Sequence, residues 1–118
     1  MNLSIGDIID RWSIAYLKHY RAQIDTHQEQ WDYLEYSEKY DKKIIVEYFD
    51  KLLKVNGDIW NLESDIRRGK EEELGLEEIG RRALQIRDFN KIRIQYKNEL
   101  NLKYNEGYQE IKKDHGSE

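Results

Sequence analysis

Two helical stripes constrain this chain more than any other feature, because polar residues interrupt each one on an otherwise apolar side. Ile45, Phe49, Leu52, Asn56, Ile59, Glu63 and Ile66 follow one another at spacings of four and three. Leu76, Ile79, Ala83, Ile86, Asn90, Arg93, Lys97 and Leu100 do the same. Residues spaced in this way share one side of an α-helix, and a helix in a folded domain buries such a side. The pattern therefore places Asn56, Glu63, Asn90 and Arg93 inside a helix bundle or at its rim. Buried polar groups cost free energy unless they bond to one another or to a ligand. That cluster is the candidate functional region.

The absence of proline from all 118 residues removes the strongest helix breaker. Ser4-x-x-Asp7 resembles a capping box with Asp in place of Glu. A first helix is therefore expected from Ser4 to near Ile24, with Ile5, Ile8, Ile9, Trp12, Ala15, Tyr16 and His19 on one face. Thr26-x-x-Glu29 is a capping-box signal for a second, shorter helix through Trp31, Leu34 and Tyr40. Asp41 is placed to cap a third. Asn56-Gly57-Asp58 offers a stop and a start, but the stripe keeps its phase across it. One helix over residues 42 to 69 is expected, with Gly57 costing about 1 kcal/mol relative to alanine and letting a neighbouring backbone come close.

Arg67, Arg68 and Lys70 near the end of that helix, and Glu71, Glu72, Glu73, Glu77 and Glu78 around the start of the next, carry the signs that suit the helix dipoles. This charge run reads as a solvated connection. A fourth helix is expected from Leu76 to Tyr104, and residues 108–118 as a frayed, charged tail behind a single domain of residues 1–107. The expected fold class is all-α: an elongated antiparallel helical bundle or hairpin of three long helices plus one shorter helix. Helices of roughly 28 residues span about 40 Å, and a short connection makes the last two antiparallel neighbours. That pairing sets Asn56 near Asn90 and Arg93. A Glu63 carboxylate, an Arg93 or Arg87 guanidinium and two carboxamides would then form one self-satisfying layer. Apolar replacement of such a layer can be neutral, so stability alone does not account for it.

Twenty basic residues stand against 24 acidic ones, a net charge of −4, without the basic excess of a nucleic-acid binder. Absence of cysteine excludes disulfides, Cys-ligated zinc and thiol catalysis. The segment from Met1 to Asp7 has neither the basic nor the apolar region of a signal peptide. No apolar run reaches bilayer length, so a cytoplasmic protein without a membrane partner is expected. The aromatic residues are nine Tyr, three Trp and two Phe, and Tyr and Trp need a partner or water for their polar tips. A thin bundle buries little area per residue, which favours a homodimer.

No cofactor is expected. The three histidines, His19, His27 and His115, stand in no metal-ligand motif, and His19 reads as a hydrogen-bonded residue at the core edge. Arg81, Arg82, Arg87, Lys91, Arg93 and Lys97 make helix four basic. Pairing with the acidic surplus explains this more simply than a phosphate groove does. Glu35-x-x-Glu38 and Glu47-x-x-Asp50 formally resemble the magnesium-binding elements of helical nucleoside-triphosphate pyrophosphatases. Carboxylates three apart share a helix face, but only eight residues separate the two pairs. A solvated face is the simpler reading. A small metal-dependent nucleotide or phosphate hydrolase using those four residues is the enzymatic alternative.

The stretch Ser4-Ile5-Gly6-Asp7-Ile8-Ile9-Asp10-Arg11-Trp12-Ser13-Ile14, with Leu17-Lys18 after it, resembles the opening of a family of small uncharacterised bacterial and phage proteins. Ile59 to Arg67, Asn90-Lys91-x-Arg93-Ile94 and Lys97 to Asn101 are similar to its later part. A second uncharacterised family shares a looser version of that second half. The likeness covers most of residues 3 to 103 except Thr26–Asp41. Genes of these helical families often lie beside those for polysaccharide glycosyltransferases, so the resemblance implies a cell-envelope sugar context and no established active site. It adds Asp10 and Arg11 to Asn56, Glu63, Asn90 and Arg93 as candidate contributors. The expected function is a binding or assembly module rather than an enzyme. Its polar stripe either fixes helix register, as a buried Asn does in coiled coils, or lines a pocket for a small polar ligand. The structural reading leads, because side-chain networks can satisfy themselves.

Overall fold

The computed structural model describes residues 3–71 and 75–107, without the side chains of 69–71. The side chains of Lys70 to Glu73 in the expected charge run, and the expected frayed tail, lie outside what the structure describes. Four helices account for the fold: α1 (Ile5–Arg21), α2 (His27–Ser37), α3 (Lys42–Glu71) and α4 (Leu76–Lys103). The long helices α1, α3 and α4 pack on one another, and the shorter α2 folds back along α1. The molecule is elongated, 48 × 36 × 23 Å. Its core joins Ile5, Ile8 and Ile9 of α1 to Leu52 of α3 and Leu100 of α4, all fully buried.

The helix ends follow local chemistry, sometimes by a different residue than the sequence suggests. Ser4 caps α1, its Oγ accepting from the Asp7 N–H at 3.3 Å. The helix stops at Arg21 rather than near Ile24, because Gln23 turns left-handed at φ 52° and the Ile24 N–H returns to the Lys18 carbonyl. Thr26 stands at the N-cap of α2, but its side chain does not cap the helix. Its hydroxyl donates to the Ala15 carbonyl at 2.7 Å, and Asp25 Oδ1 takes the His27 N–H instead. Glu29 accepts from the Tyr33 hydroxyl at 2.8 Å and takes no part in a capping box. Asp41 caps α3 as expected, accepting from the Lys43 N–H at 2.9 Å. His19 is half-buried, its Nδ1 accepting from the Thr26 N–H.

α3 runs unbroken through Gly57, but what approaches there is a side chain, not a backbone. Arg21 Nη1 donates to the Gly57 carbonyl at 3.3 Å and to Asn61 Oδ1 at 2.9 Å. Beyond that contact α1 has ended, so α4 alone is left to cover α3. Ile45, Leu52 and Ile59 are buried and Ile66 is half-buried, whereas Glu63 is exposed. The sequence pattern treats the whole stripe as equivalent, and its Glu63 position is corrected by this thinning of the bundle. α4 is uneven for the same reason. Its apolar first turn is open to solvent, with Leu76 87% exposed, while Lys97 is 8% and Leu100 0% exposed. Among the described residues no helix is long and apolar enough to cross a membrane.

Candidate functional site: a polar seam and the cleft above it

Three positions on α1, Gly6, Asp10 and Ser13, fall on one helix face at spacings of four and three. Asn90, Arg93, Lys97 and Asn101 fall likewise on α4. The two faces meet antiparallel. At the closed end, an alanine Cβ built at Gly6 would sit 2.6 Å from the Lys97 carbonyl oxygen and 2.7 Å from Asn101 Oδ1. Glycine is therefore what permits this contact. Its N–H belongs to the first helical turn, where no intrahelical partner exists, and it donates to Asn101 Oδ1 at 2.7 Å. The preceding N–H, of Ile5, donates to Glu106 Oε1 at 2.9 Å, and the second oxygen of Glu106 accepts from the Tyr40 hydroxyl.

Asp10 is the centre of the seam. It is 3% exposed, a setting in which a carboxylate needs compensation from several donors. Arg93 grips it with two parallel bonds, Nε to Oδ1 at 2.9 Å and Nη2 to Oδ2 at 2.8 Å, the forked geometry that suits guanidinium and carboxylate. Asn56 Nδ2 donates to the same Oδ1 at 2.9 Å and to Ser13 Oγ at 2.8 Å, and the Ser13 hydroxyl in turn donates to the Asp10 backbone carbonyl. Arg93 Nη1 donates to Asn90 Oδ1 at 3.2 Å. One turn along, Lys97 Nζ lies 3.0 Å from Asp7 Oδ1 and 4.0 Å from Asp10 Oδ2.

Burial alone would raise the Asp7 pKa. The Lys97 hydrogen bond and charge, helped by Ser4 and Arg11, outweigh it and hold the carboxyl below its ordinary value. A folded pKa below the unfolded one contributes stability above the unfolded value and loses it as pH falls through the folded value. The wild type is thus expected to melt higher than Asp7→Asn at neutral pH. That gap should close as pH drops below about 4. Paired melting curves across the acid range check this, and a gap independent of pH would assign the effect of Asp7 to packing.

The structure brings together Asp10, Asn56, Asn90 and Arg93. It supplies Asp10, rather than Glu63, as the carboxylate of the layer. Arg87 stays outside the layer and pairs with Asp88 at 3.4 Å. Arg11 is exposed, and its charge acts on Asp7 and on Tyr33 of α2. Glu35, Glu38, Glu47 and Asp50 are all exposed, and Glu47 is engaged by Lys51 at 2.9 Å. Among the described residues no three His, Cys, Asp or Glu side chains converge as a metal site would require. Arg81 and Arg82 are paired with Glu78 and Asp65, as expected for an ordinary charged helix. Gly6, Ser13, Lys97 and Asn101 complete the seam, and their helical spacing from Asp10 and Arg93 was the available signal.

Above the seam a cleft of about 410 Å³ opens between α1, α3 and α4, within the range of small-molecule sites. Asn56, Asn90 and Arg93 line it, joined by Lys18 of α1 and by Trp60 and Glu63 of α3. Trp60 stands one turn after Asn56, and Glu63 three residues further on. Glu63 thus belongs to the rim of the cleft, while Lys18 and Trp60 are members that the buried-stripe pattern does not single out.

No family model, no curated protein and no solved structure matches this chain.

Proposed function

We propose that this chain is a cytoplasmic binding module that holds a small polar ligand in the cleft between α1, α3 and α4, and that it works as a homodimer. The observation that carries the reading is the placing of the polar layer. Asp10 and Asn56 are buried, yet Asn56, Asn90 and Arg93 of the same layer line an open cleft, so the layer is not a sealed core contact. A device serving only helix register has no need of that opening. Self-association rests on the far end of the α3–α4 hairpin, which leaves Leu76 and Leu84 exposed. A second hairpin is the partner that such a two-helix end most simply accepts. The sequence resemblance to uncharacterised envelope-associated families is compatible with this role and adds no chemistry to it.

A thermal-shift screen against divalent metals, nucleotides, nucleotide sugars and sugar phosphates, with light scattering for mass, tests the reading. A compound present at 100 times its Kd should stabilise the fold by about 2.7 kcal/mol, a rise on the order of 10 °C. The shift should not need a metal, and Asn90→Leu should abolish it with the dimer unchanged. If Asn90→Leu instead alters assembly while stability holds or rises, the polar layer is a register device.

A further inference from the structure

We infer that the cleft is a saccharide site, in which a neutral, hydroxyl-bearing ring donates to Asn56, accepts from Asn90 and lies against Trp60. This rests on the binding reading above and gives it a ligand class. The orientations of the two carboxamides decide it. A carboxylate only accepts and a guanidinium only donates, so their ionised neighbours fix both amides. Asn56 must turn Nδ2 toward Asp10, and both amide protons are then spent, on Asp10 Oδ1 and Ser13 Oγ. Its Oδ1 receives no donor from the described residues, although Asn56 is only 6% exposed. Asn90 must turn Oδ1 toward Arg93, which leaves its Nδ2 without an acceptor among them. The floor therefore presents one unmet acceptor and one unmet donor.

A ligand meeting both must donate and accept. A hydroxyl does both through one atom, whereas phosphate dianions and carboxylates only accept and would leave the Asn56 oxygen unmet. Charge agrees with this. The bidentate bond commits Arg93 to Asp10, and the remaining lining charges are one Lys18 and one Glu63, with no surplus to select an anion. The polar groups come from three helices and so surround the ligand. Ring hydroxyls radiate in this way, while a nucleobase presents its donors and acceptors along the edges of one plane. Trp60 gives the apolar C–H face of a sugar ring a wall.

The test titrates the intact chain with glucose, galactose, mannose, N-acetylglucosamine, inorganic phosphate and adenosine. The signal is the Trp60 indole N–H resonance, assigned by its loss in Trp60→Phe. Asn90→Asp is the discriminating variant: it keeps an acceptor for Arg93, and so should fold with an undiminished melting temperature, but it replaces the free donor by an acceptor. At least one neutral sugar is expected to shift the Trp60 signal and to raise the melting temperature, with affinity falling about tenfold in Asn90→Asp and the melting shift, which reads the variant without the indole, lost in Trp60→Ala. A Trp60 response to phosphate or adenosine and to no sugar would overturn the saccharide assignment and leave the cleft a binding site. Sugar binding that both variants leave intact would overturn the assignment too, by placing the sugar elsewhere. Silence of Trp60 toward every probe would remove the saccharide and the binding reading together.

Discussion

Arg93→Ala is expected to destabilise the fold by about 3–5 kcal/mol, a large share of the stability of a typical domain this size. The cost lies less in the lost ion pair than in what is left behind. Asp10, 3% exposed in the intact protein, would keep Asn56 as its near donor, with Lys97 Nζ 4.0 Å away. The melting temperature should fall by roughly 12–25 °C. Replacing the layer together, as Asp10→Leu, Asn56→Leu and Arg93→Met in one chain, should recover most of that loss, since apolar groups leave no charge uncompensated. Urea unfolding of the single and triple variants checks the pattern. Equal losses in both would mean that packing volume, and not charge compensation, governs the seam.

Gly6→Ala comes next in size. In an open helix that change is mildly favourable, by up to about 1 kcal/mol. Here the new methyl group would lie 2.6 Å from a backbone carbonyl that cannot rotate away. α1 must then back off from α4, stretching the Gly6–Asn101 bond and the Asp10–Arg93 fork beyond it. Overpacking of this kind costs about 1–3 kcal/mol, and denaturant melts should show a loss of that order. A stabilised Gly6→Ala protein would contradict the close approach of the two backbones.

The two predictions also mark how far the sequence can be read. Helix number, the unbroken course of α3 through Gly57 and the Asp41 cap follow from local pattern, because helices are written in short-range spacing. The meeting of Asn56, Asn90 and Arg93 was legible too, since a short loop fixes the register of an antiparallel pair. Glu63 was not, because its exposure depends on where α1 stops, a distance set by Gln23 and Thr26 and invisible to the stripe itself. Asp10 as the central carboxylate was equally hidden. Its partner Arg93 is 83 residues away, and nothing in periodicity says which face of α1 lies on which face of α4. Thr26 shows the limit of motifs: held by its bond to Ala15 of another helix, its hydroxyl accepts from the Gln30 side chain of α2 and not from a backbone N–H of the first turn.

The long reach of the seam also orders events during synthesis. α1 contacts α4 through residues 83 and 95 positions apart, and the turn after α4 through a pair 101 apart, whereas α3 and α4 are joined by a short connection. A growing chain can wind α1 and fold α2 against it early, but Asp10 has no arginine to meet until α4 has been made. Until then the ribosome holds a half-domain whose central carboxylate is necessarily hydrated. The seam therefore closes late, the first helix waiting on α4.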